Sequence, residues 1–452
     1  MTRLFGTDGI RGEAGKFPLD APTAEIIGAS LATHLAEQLD RTPLVVLGRD
    51  TRESGEWLET ALCAGIRKAG GRSQSAGVIT TPGVAYLART MPADAGIVIS
   101  ASHNPYHDNG IKVFSPSGRK LDEATERRIE ADIISQNRQS REISLEAART
   151  FPAEEAAKLR ERYLNYLHNV IAQGLSLEGI RMVVDCANGA ASDIAPHLFK
   201  RLGASISVIN AEPDGRNINL ASGSLHTEKL QQAVLQQNAD IGVAVDGDAD
   251  RSLFVDAEGR LANGDAALWV LANYMQTRKQ LVNNLVVATV MSNIGLEIAL
   301  QSKSIEFVRT DVGDKFVLDE LLRTGASLGG EQSGHIIFPQ LSLAGDGLIT
   351  TLCVLRAMVD ENRSLSELTS GLQIFPQILL NVPVKEKRPF TEIQEIQEAV
   401  KRAETELGGR GRLLLRYSGT EALARIMIEG EQQEQIDRIA NDLAHAIRQK
   451  LA

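Results

Sequence analysis

A chain of 452 residues, 43% apolar and 23% charged, is long enough for about three domains and has ample material for buried cores. Its formal net charge of −10 argues against a nucleic-acid binder and against a protein held by charge on anionic membrane, so neither is expected as a partner. The three cysteines, Cys63, Cys186 and Cys353, are far apart and odd in number, which fits free thiols in a reducing cytosol.

Residues 1–6 contain no apolar h-region, so no secretory signal is expected, and no apolar run approaches the ~18 residues of a membrane span. A cytoplasmic protein is the expectation. The negative balance does not exclude an anionic small substrate, because local arginine clusters override a global field. With no CxxC and 8 histidines, a zinc site is not expected.

Phe5-Gly6-Thr7-Asp8-Gly9-Ile10-Arg11-Gly12 reads as a tight N-terminal loop. Helical spacing runs from Pro22 to Leu39, and Leu44–Leu47 is a buried strand that ends in Gly48-Arg49-Asp50, a suggestive place for a ligand in an α/β sheet. A helix over Ser54–Gly70, a strand over Gln74–Ile79 and a helix over Thr81–Arg89 continue the α/β alternation. The apolar run Ala95–Ile99 then feeds Ser100-Ala101-Ser102-His103-Asn104-Pro105, and Asn109-Gly110 reads as a second turn before Ile111-Lys112-Val113-Phe114. A Ser-His pair in a loop is, by itself, most often a polar turn. A serine nucleophile needs a base, a metal or a cationic surround.

From Arg119 to about Arg162 the chain is charge-dense and helical, with a domain boundary near Phe151-Pro152. The next α/β block comprises strand 180–185, helix 194–202, strand 205–209, a loop at 213–219 and helix 227–237. Its strand Ile241–Val245 runs into Asp246-Gly247-Asp248-Ala249-Asp250-Arg251. A third block, from about Gly259 to Gly371, repeats the order of elements without sequence identity, so an internal structural repeat is expected. Pro376, Pro383 and Pro389 then mark a linker, and a small α+β unit follows: helix 391–407, strand 411–415, strand 424–428 and helix 432–450.

Asp246, Asp248 and Asp250 alternate, which in an extended segment brings three carboxylates to one side, where they repel unless a cation joins them. A calcium EF-hand fails because Arg251 and Ala257 occupy its glycine and glutamate positions, so magnesium is favoured over an exposed acidic turn. Arg416-Tyr417-Ser418-Gly419-Thr420-Glu421, with Arg425 beyond, reads either as an anion cradle or as an ordinary turn; it is no Walker loop. Glu331, Ser333 and His335 alternate in a glycine-bounded stretch that could meet a polyol. Together these loops suit phosphoryl transfer on a phosphorylated polar metabolite.

At this point the chain resembles the α-D-phosphohexomutases over nearly its whole length. The likeness rests on FGTDGIRG (Phe5–Gly12), SASHNP (Ser100–Pro105), DGDADR (Asp246–Arg251), GEQSGH (Gly330–His335) and RYSGTE (Arg416–Glu421), in that order, with Gln332 leaning toward the glucosamine branch. The resemblance implies three similar α/β domains with mixed sheets plus a smaller C-terminal α+β domain, around one central cleft. The expected spans are 1–153 with a phosphoserine loop, 154–257 with a metal loop, 258–372 with a sugar loop and 373–452 with a phosphate cradle. It implies interconversion of glucosamine 6-phosphate and glucosamine 1-phosphate for cell-wall precursor synthesis, with a glucose or mannose phosphate mutase as the nearest alternative. A metal-dependent phosphatase using Asp246 as nucleophile and a non-catalytic sugar-phosphate binder are more distant rivals.

Carried onto matching positions, the resemblance makes Ser102 the phosphorylated serine. One Mg2+ would be held by Ser102, Asp246, Asp248 and Asp250. Arg11, His103, Lys112, Arg251 and His335 become the cationic or acid/base groups, and Glu331 and Ser333 the sugar contacts. Arg416, Ser418, Gly419, Thr420 and Arg425 become the cradle for the phosphate that stays on the sugar. A sugar 1,6-bisphosphate activator and a homodimer are further expectations. Thr81, Tyr417 and Ala422 stand where related chains commonly carry proline, and none of these departures is expected to touch a residue assigned to chemistry.

Overall fold

The computed structural model describes residues 3–6, 8–136, 151–418 and 422–451. They form two compact units, Met1–Met291 with Glu306–Thr369, and Ser292–Ile305 with Ser370–Ala452.

The larger unit holds three mixed sheets. The first contains β1 (Phe5–Gly6), β2 (Gly9–Glu13), β3 (Leu44–Arg49), β4 (Arg72–Val78), β5 (Ala95–Ile99) and β6 (Asp108–Phe114), in the order β1-β2-β6-β5-β3-β4. The second contains β7 (Arg181–Asp185), β8 (Ser205–Ile209), β9 (Ile241–Val245), β10 (Ser252–Asp256) and β11 (Leu261–Ala262), in the order β11-β10-β9-β7-β8. The third contains β12 (Leu285–Thr289), β13 (Glu306–Thr310), β14 (Leu328–Gly330) and β15 (Ile336–Ile337), in the order β13-β12-β14-β15.

One pattern recurs in all three sheets. A central strand, β3, β7 or β12, has a parallel neighbour on each side. The later of those neighbours, β5, β9 or β14, then turns back into an antiparallel strand, β6, β10 or β15. The expected internal repeat is therefore present. It is carried by strand order and burial: β5, β9 and β12 are buried at every residue. Such runs favour parallel strands covered on both faces, and each buried Val, Leu or Ile contributes about 1.5–3 kcal/mol.

Two local expectations change. The N-terminal stretch is a hairpin, with Phe5 opposite Ile10 and β2 continuing the sheet beside β6. Asn109-Gly110 lies inside β6 and is not a turn: Gly110 faces Arg11 of β2, where an added Cβ would meet the Ser100 carbonyl oxygen. Glycine serves there for close approach.

The smaller unit has an antiparallel sheet of β16 (Gln377–Pro383), β18 (Leu423–Glu429) and β17 (Arg412–Tyr417), in that spatial order. β16 corrects the linker reading. Its prolines lie at or beyond its ends and it is an edge strand, where a missing N–H is tolerated. Helices Gln394–Leu407 and Gln433–Leu451 bury Ile396, Ala403, Ile436, Leu443 and Ile447 with Val382, Ile426 and Ile428. Helix Ile294–Ser302 belongs to this unit through Asn293 Nδ2, which donates to Phe375 O (3.0 Å), and the Ile294 N–H, which donates to Glu429 Oε2 (3.2 Å).

Candidate active site

The recurring turn after the third parallel strand holds residues singled out from the sequence in each sheet: β5–β6 presents Ser102, β9–β10 the three aspartates, and β14–β15 Glu331 to His335. All three lie at the carboxyl edge of the parallel strands, where α/β sheets gather ligands.

Ser102 is 1% exposed and sits in the left-handed region at φ +53°. Its Oγ donates to Asp246 Oδ2 at 2.5 Å and lies 3.3 Å from His103 Nδ1, so the first and second sheets meet on one hydroxyl. The aspartates converge by a different route from the one foreseen. Residues 246–250 form a tight turn, not an extended segment, with the Ala249 N–H donating to Asp246 O (3.0 Å) and Ala249 at φ +55°. One oxygen from each carboxylate falls within 4.8 Å of the others, and all three residues are buried.

The electrostatics fit a cation. Burial, then the neighbouring Asp250 and Asp248, push the Asp246 carboxyl well above the usual carboxylate range. Asp248 Oδ1 and Asp250 Oδ1 are buried and accept no hydrogen bond from the described residues. A hard cation with oxygen ligands would relieve both conditions, so the residues present can hold a metal.

Cations surround the turn. Lys112, 1% exposed on β6, donates from Nζ to Asp248 Oδ2 (2.8 Å) and lies 3.0 Å from Asp8 and 3.7 Å from Asp250. Burial disfavours its charge, but Asp248, Asp8 and Asp250 outweigh that and raise its pKa above the ordinary lysine value. Arg251 approaches Asp250 Oδ1 (3.7 Å) and His103 Nδ1 (3.3 Å). Arg11 on β2 donates to Ala101 O (3.4 Å) and pairs with Asp8.

The two imidazoles differ. Burial, then Arg251 and Arg11, lower His103 to about 4. Burial works against charge on His335 as well, but Asp250, then Asp314 and Glu331, outweigh it and raise His335 to about 9. His335 Nδ1 lies 3.5 Å from Asp250 Oδ1, an ion contact with no hydrogen bond at that oxygen. Glu331 accepts from the Gly313 N–H (3.1 Å), and Ser333 Oγ reaches Glu331 Oε2 only at 3.5 Å. A cavity of about 410 Å³ opens against Asp8, Arg11, His103, Arg251, Glu331 and His335.

In the smaller unit, Arg416 and Arg425 are directly opposite on β17 and β18 and share one sheet face, an arrangement that an anion would stabilise. Ser418 follows, with its N–H donating to Leu423 O (2.9 Å) and its carbonyl accepting from Lys387 Nζ (2.6 Å). Gly419 and Thr420 lie outside the described residues. Tyr417 stacks on Phe390 (4.1 Å between centroids) and donates from its hydroxyl to Arg388 O (2.5 Å), so the ring braces the strand end where proline is common.

Several partners escaped sequence reasoning. Thr81 does touch a residue assigned to chemistry: its Oγ1 donates to Asp248 Oδ2 at 2.6 Å and its N–H to Asp248 O at 3.0 Å. Lys120 pairs with Asp8 (2.6 Å) and Asp314 (2.5 Å), linking the first and third sheets beside His335. Arg52, fully buried, and Asn219 both donate to the serine loop. Arg49 is turned away, onto Glu56 (2.9 Å) and Glu59 (3.2 Å), and Asp50 is occupied by Arg52. The polar tip of β3 was thus a fair signal, with the weight falling on Arg52.

Comparison with known proteins gives one family domain to each of the four sheets. Domains I, II and III of the phosphoglucomutase/phosphomannomutase family match residues 2–140, 161–259 and 263–375, and its C-terminal domain matches 379–446. Phosphoglucosamine mutases from Solibacter usitatus and Mycobacterium ulcerans are 46% and 47% identical, each over 99% of both chains. Among solved structures, a phosphoglucomutase/phosphomannomutase family protein from Burkholderia thailandensis superposes with TM-score 0.79 at 25% identity, covering 99% of this chain and 97% of its own. Aspergillus fumigatus N-acetylphosphoglucosamine mutase, solved with GlcNAc-6P and magnesium, shares the fold at TM-score 0.63 and 17% identity, covering 99% of this chain and 95% of its own. Sheet repeat, loop chemistry and full-length identity agree, and the chain belongs to the phosphoglucomutase/phosphomannomutase family, the α-D-phosphohexomutases, in its phosphoglucosamine mutase branch.

Proposed function

We propose that this isomerase interconverts glucosamine 6-phosphate and glucosamine 1-phosphate by way of a phosphorylated Ser102. The observation that carries the reading is the buried Ser102 hydroxyl, 2.5 Å from Asp246 and 3.3 Å from His103, with Arg251 on that imidazole and Lys112 on the neighbouring Asp248. The 1-hydroxyl oxygen of the sugar attacks the phosphorus on Ser102. The P–Oγ bond breaks, the new P–O bond makes a bisphosphorylated sugar, and the hydroxyl proton passes to an imidazole such as His103. The intermediate turns over and returns its other phosphoryl to Ser102 Oγ. A sugar 1,6-bisphosphate would reload a serine that had lost its phosphate.

Asp246, Asp248, Asp250 and a phosphoserine oxygen would hold Mg2+, which when bound stabilises charge spreading over the transferring group. Lys112, Arg11, Arg251 and His335 add fixed positive charge where water is excluded, which makes each contact worth more than in solvent. Glu331 and Ser333 contact sugar hydroxyls. Arg416, Ser418, Gly419, Thr420 and Arg425 grip the phosphate that stays on the sugar; such a cradle reads only an anion and so accepts either end.

Intact mass and phosphopeptide mapping of the purified protein should place one phosphate on Ser102, and Ser102→Ala should stay folded and lose turnover. Glucosamine 6-phosphate should be consumed faster than glucose or mannose 6-phosphate. Phosphate on Asp246, an active Ser102→Ala protein, or preference for another hexose would overturn the reading.

A further inference from the structure

Ser102 occupies a left-handed backbone region that serine seldom visits, so something must hold it there. Its backbone is gripped on both sides of His103. Arg52 Nη2 donates to Ser102 O (3.2 Å) and to Asn104 O (2.5 Å). Asn219 Nδ2 donates to the same two carbonyls, at 2.9 and 3.1 Å. The two donors come from different places: Arg52 follows β3 in the first sheet, and Asn219 follows β8 in the second.

Both are built into position. The Arg52 side chain is wholly buried, anchored on Asp50, and its Nε has no partner among the described residues, a cost that a purely structural role would not require. Asn219 is itself left-handed at φ +59°, with its N–H on Ala187 O (2.9 Å), and Ala187 is left-handed at φ +53°. Gly247 of the aspartate turn lies against this contact, where an added Cβ would meet both Ser102 O and Asn219 Nδ2. Three left-handed residues, Ala187, Asn219 and Ser102, therefore follow one another in a single chain of contacts that ends on the serine loop.

We infer that Arg52 and Asn219 form a carbonyl clamp, a pair of positioning residues that fixes Ser102 Oγ against the aspartate turn while leaving the hydroxyl itself untouched. The inference rests on Ser102 being the phosphoryl carrier. That carrier must give up and regain its phosphoryl in each cycle, on a sugar presented in two orientations. A misplacement near 1 Å can cost about 100-fold in rate. A clamp on carbonyls alone keeps the same oxygen in register through both transfers. Asn219 is the half that ties the serine loop to the sheet bearing Asp246.

The test is kcat per phosphorylated serine, with phosphoserine occupancy read by intact mass so that misfolded molecules do not count. Asn219→Gly relieves the backbone strain and removes the amide; Asn219→Asp keeps the size and turn preference but turns an acceptor toward two carbonyls. Both should lower kcat per phosphoserine roughly 100-fold with KM within threefold, Asn219→Asp the more severely. Arg52→Lys, which retains a cation beside Asp50, should lie between them and the unmodified enzyme. If kcat per phosphoserine in whichever Asn219 variant folds stays within threefold of the unmodified value, the clamp is only a domain tie and the inference falls. Unmodified protein that turns over without phosphate on Ser102 would overturn the functional reading and the clamp with it.

Discussion

The hydroxyl of Thr81 and the ammonium of Lys112 both donate to the same oxygen, Oδ2 of Asp248, at 2.6 and 2.8 Å. That leaves Oδ1 of the carboxylate buried and without a partner among the described residues. Partners of this kind orient metal ligands, and their loss typically costs about 10–100-fold in metal affinity. Thr81→Val keeps the shape and removes the donor. The magnesium concentration for half-maximal activity should rise about 10-fold, with kcat at saturating magnesium nearly unchanged. A metal titration that superposes on that of the unmodified protein would refute this role.

Lys120 separates two carboxylates, Asp8 and Asp314, that come from the first and third sheets. Lys120→Met leaves both acids facing each other without their shared cation. A charged hydrogen bond of this type contributes about 1.5–3 kcal/mol. The thermal midpoint should fall and KM should rise, because Asp314 stands beside His335 (3.9 Å) on the wall that bears Glu331. Lys120→Arg should recover most of both losses. Unchanged KM with a lowered midpoint would make Lys120 a stability element alone.

Asp346 caps helix Gly347–Glu361 through the Leu348 and Ile349 N–H groups (both 3.0 Å) and accepts from the Tyr163 hydroxyl (2.7 Å). Burial nonetheless dominates and raises its pKa to about 6. The folded state thus holds a proton that the unfolded state releases near pH 4, so this contribution to stability is full below that value and is lost as pH rises through 6. The change is worth roughly 3 kcal/mol at about 1.4 kcal/mol per pH unit. Asp346→Asn has no proton to lose. Its thermal midpoint relative to the unmodified protein should climb between pH 4.5 and 7, measured at one fixed magnesium concentration. Parallel pH profiles would count against it.

Arg416 faces Arg425 across β17 and β18. If the pair grips the resident phosphate, Arg416→Ala should raise KM about 10- to 100-fold, from a contact worth about 1.5–3 kcal/mol. The bisphosphorylated sugar should also escape more often, since it must be held in both orientations. Steady-state KM and the bisphosphate released per turnover measure the two effects. Normal values for both would make this strand end a structural turn.

What the sequence disclosed has a physical pattern. β5 and β9 announced themselves because they are buried throughout, and Ser102 and Asp246–Asp250 because clustered polar and acidic side chains follow those apolar strands directly. Arg52, Thr81, Lys120 and Asn219 gave no such notice. Each acts on a partner brought close only by the fold, as Thr81 does on Asp248 and Asn219 on Ser102, and locally each is a single polar residue: Arg52 and Asn219 in loops, Thr81 at the start of a helix, Lys120 in a β-bridge to Phe114. Lys387 is hidden for the same reason, since its partner Ser418 comes from another part of the chain. β16 was obscured by its prolines, which mark an edge strand as readily as a linker.

The turn after the third parallel strand is one architectural slot present in triplicate, and each copy has been filled differently, with a buried serine, three aspartates, and Glu331 to His335, for which carrier, cation cage and sugar reader are the roles proposed above. Each slot is anchored by its own parallel strands. Residues 331–335 can therefore be recast to admit a different hexose while the carrier and the cage keep their shape. Specificity in this architecture can drift independently of the transfer chemistry, as a tool head can be exchanged without rebuilding the machine that drives it.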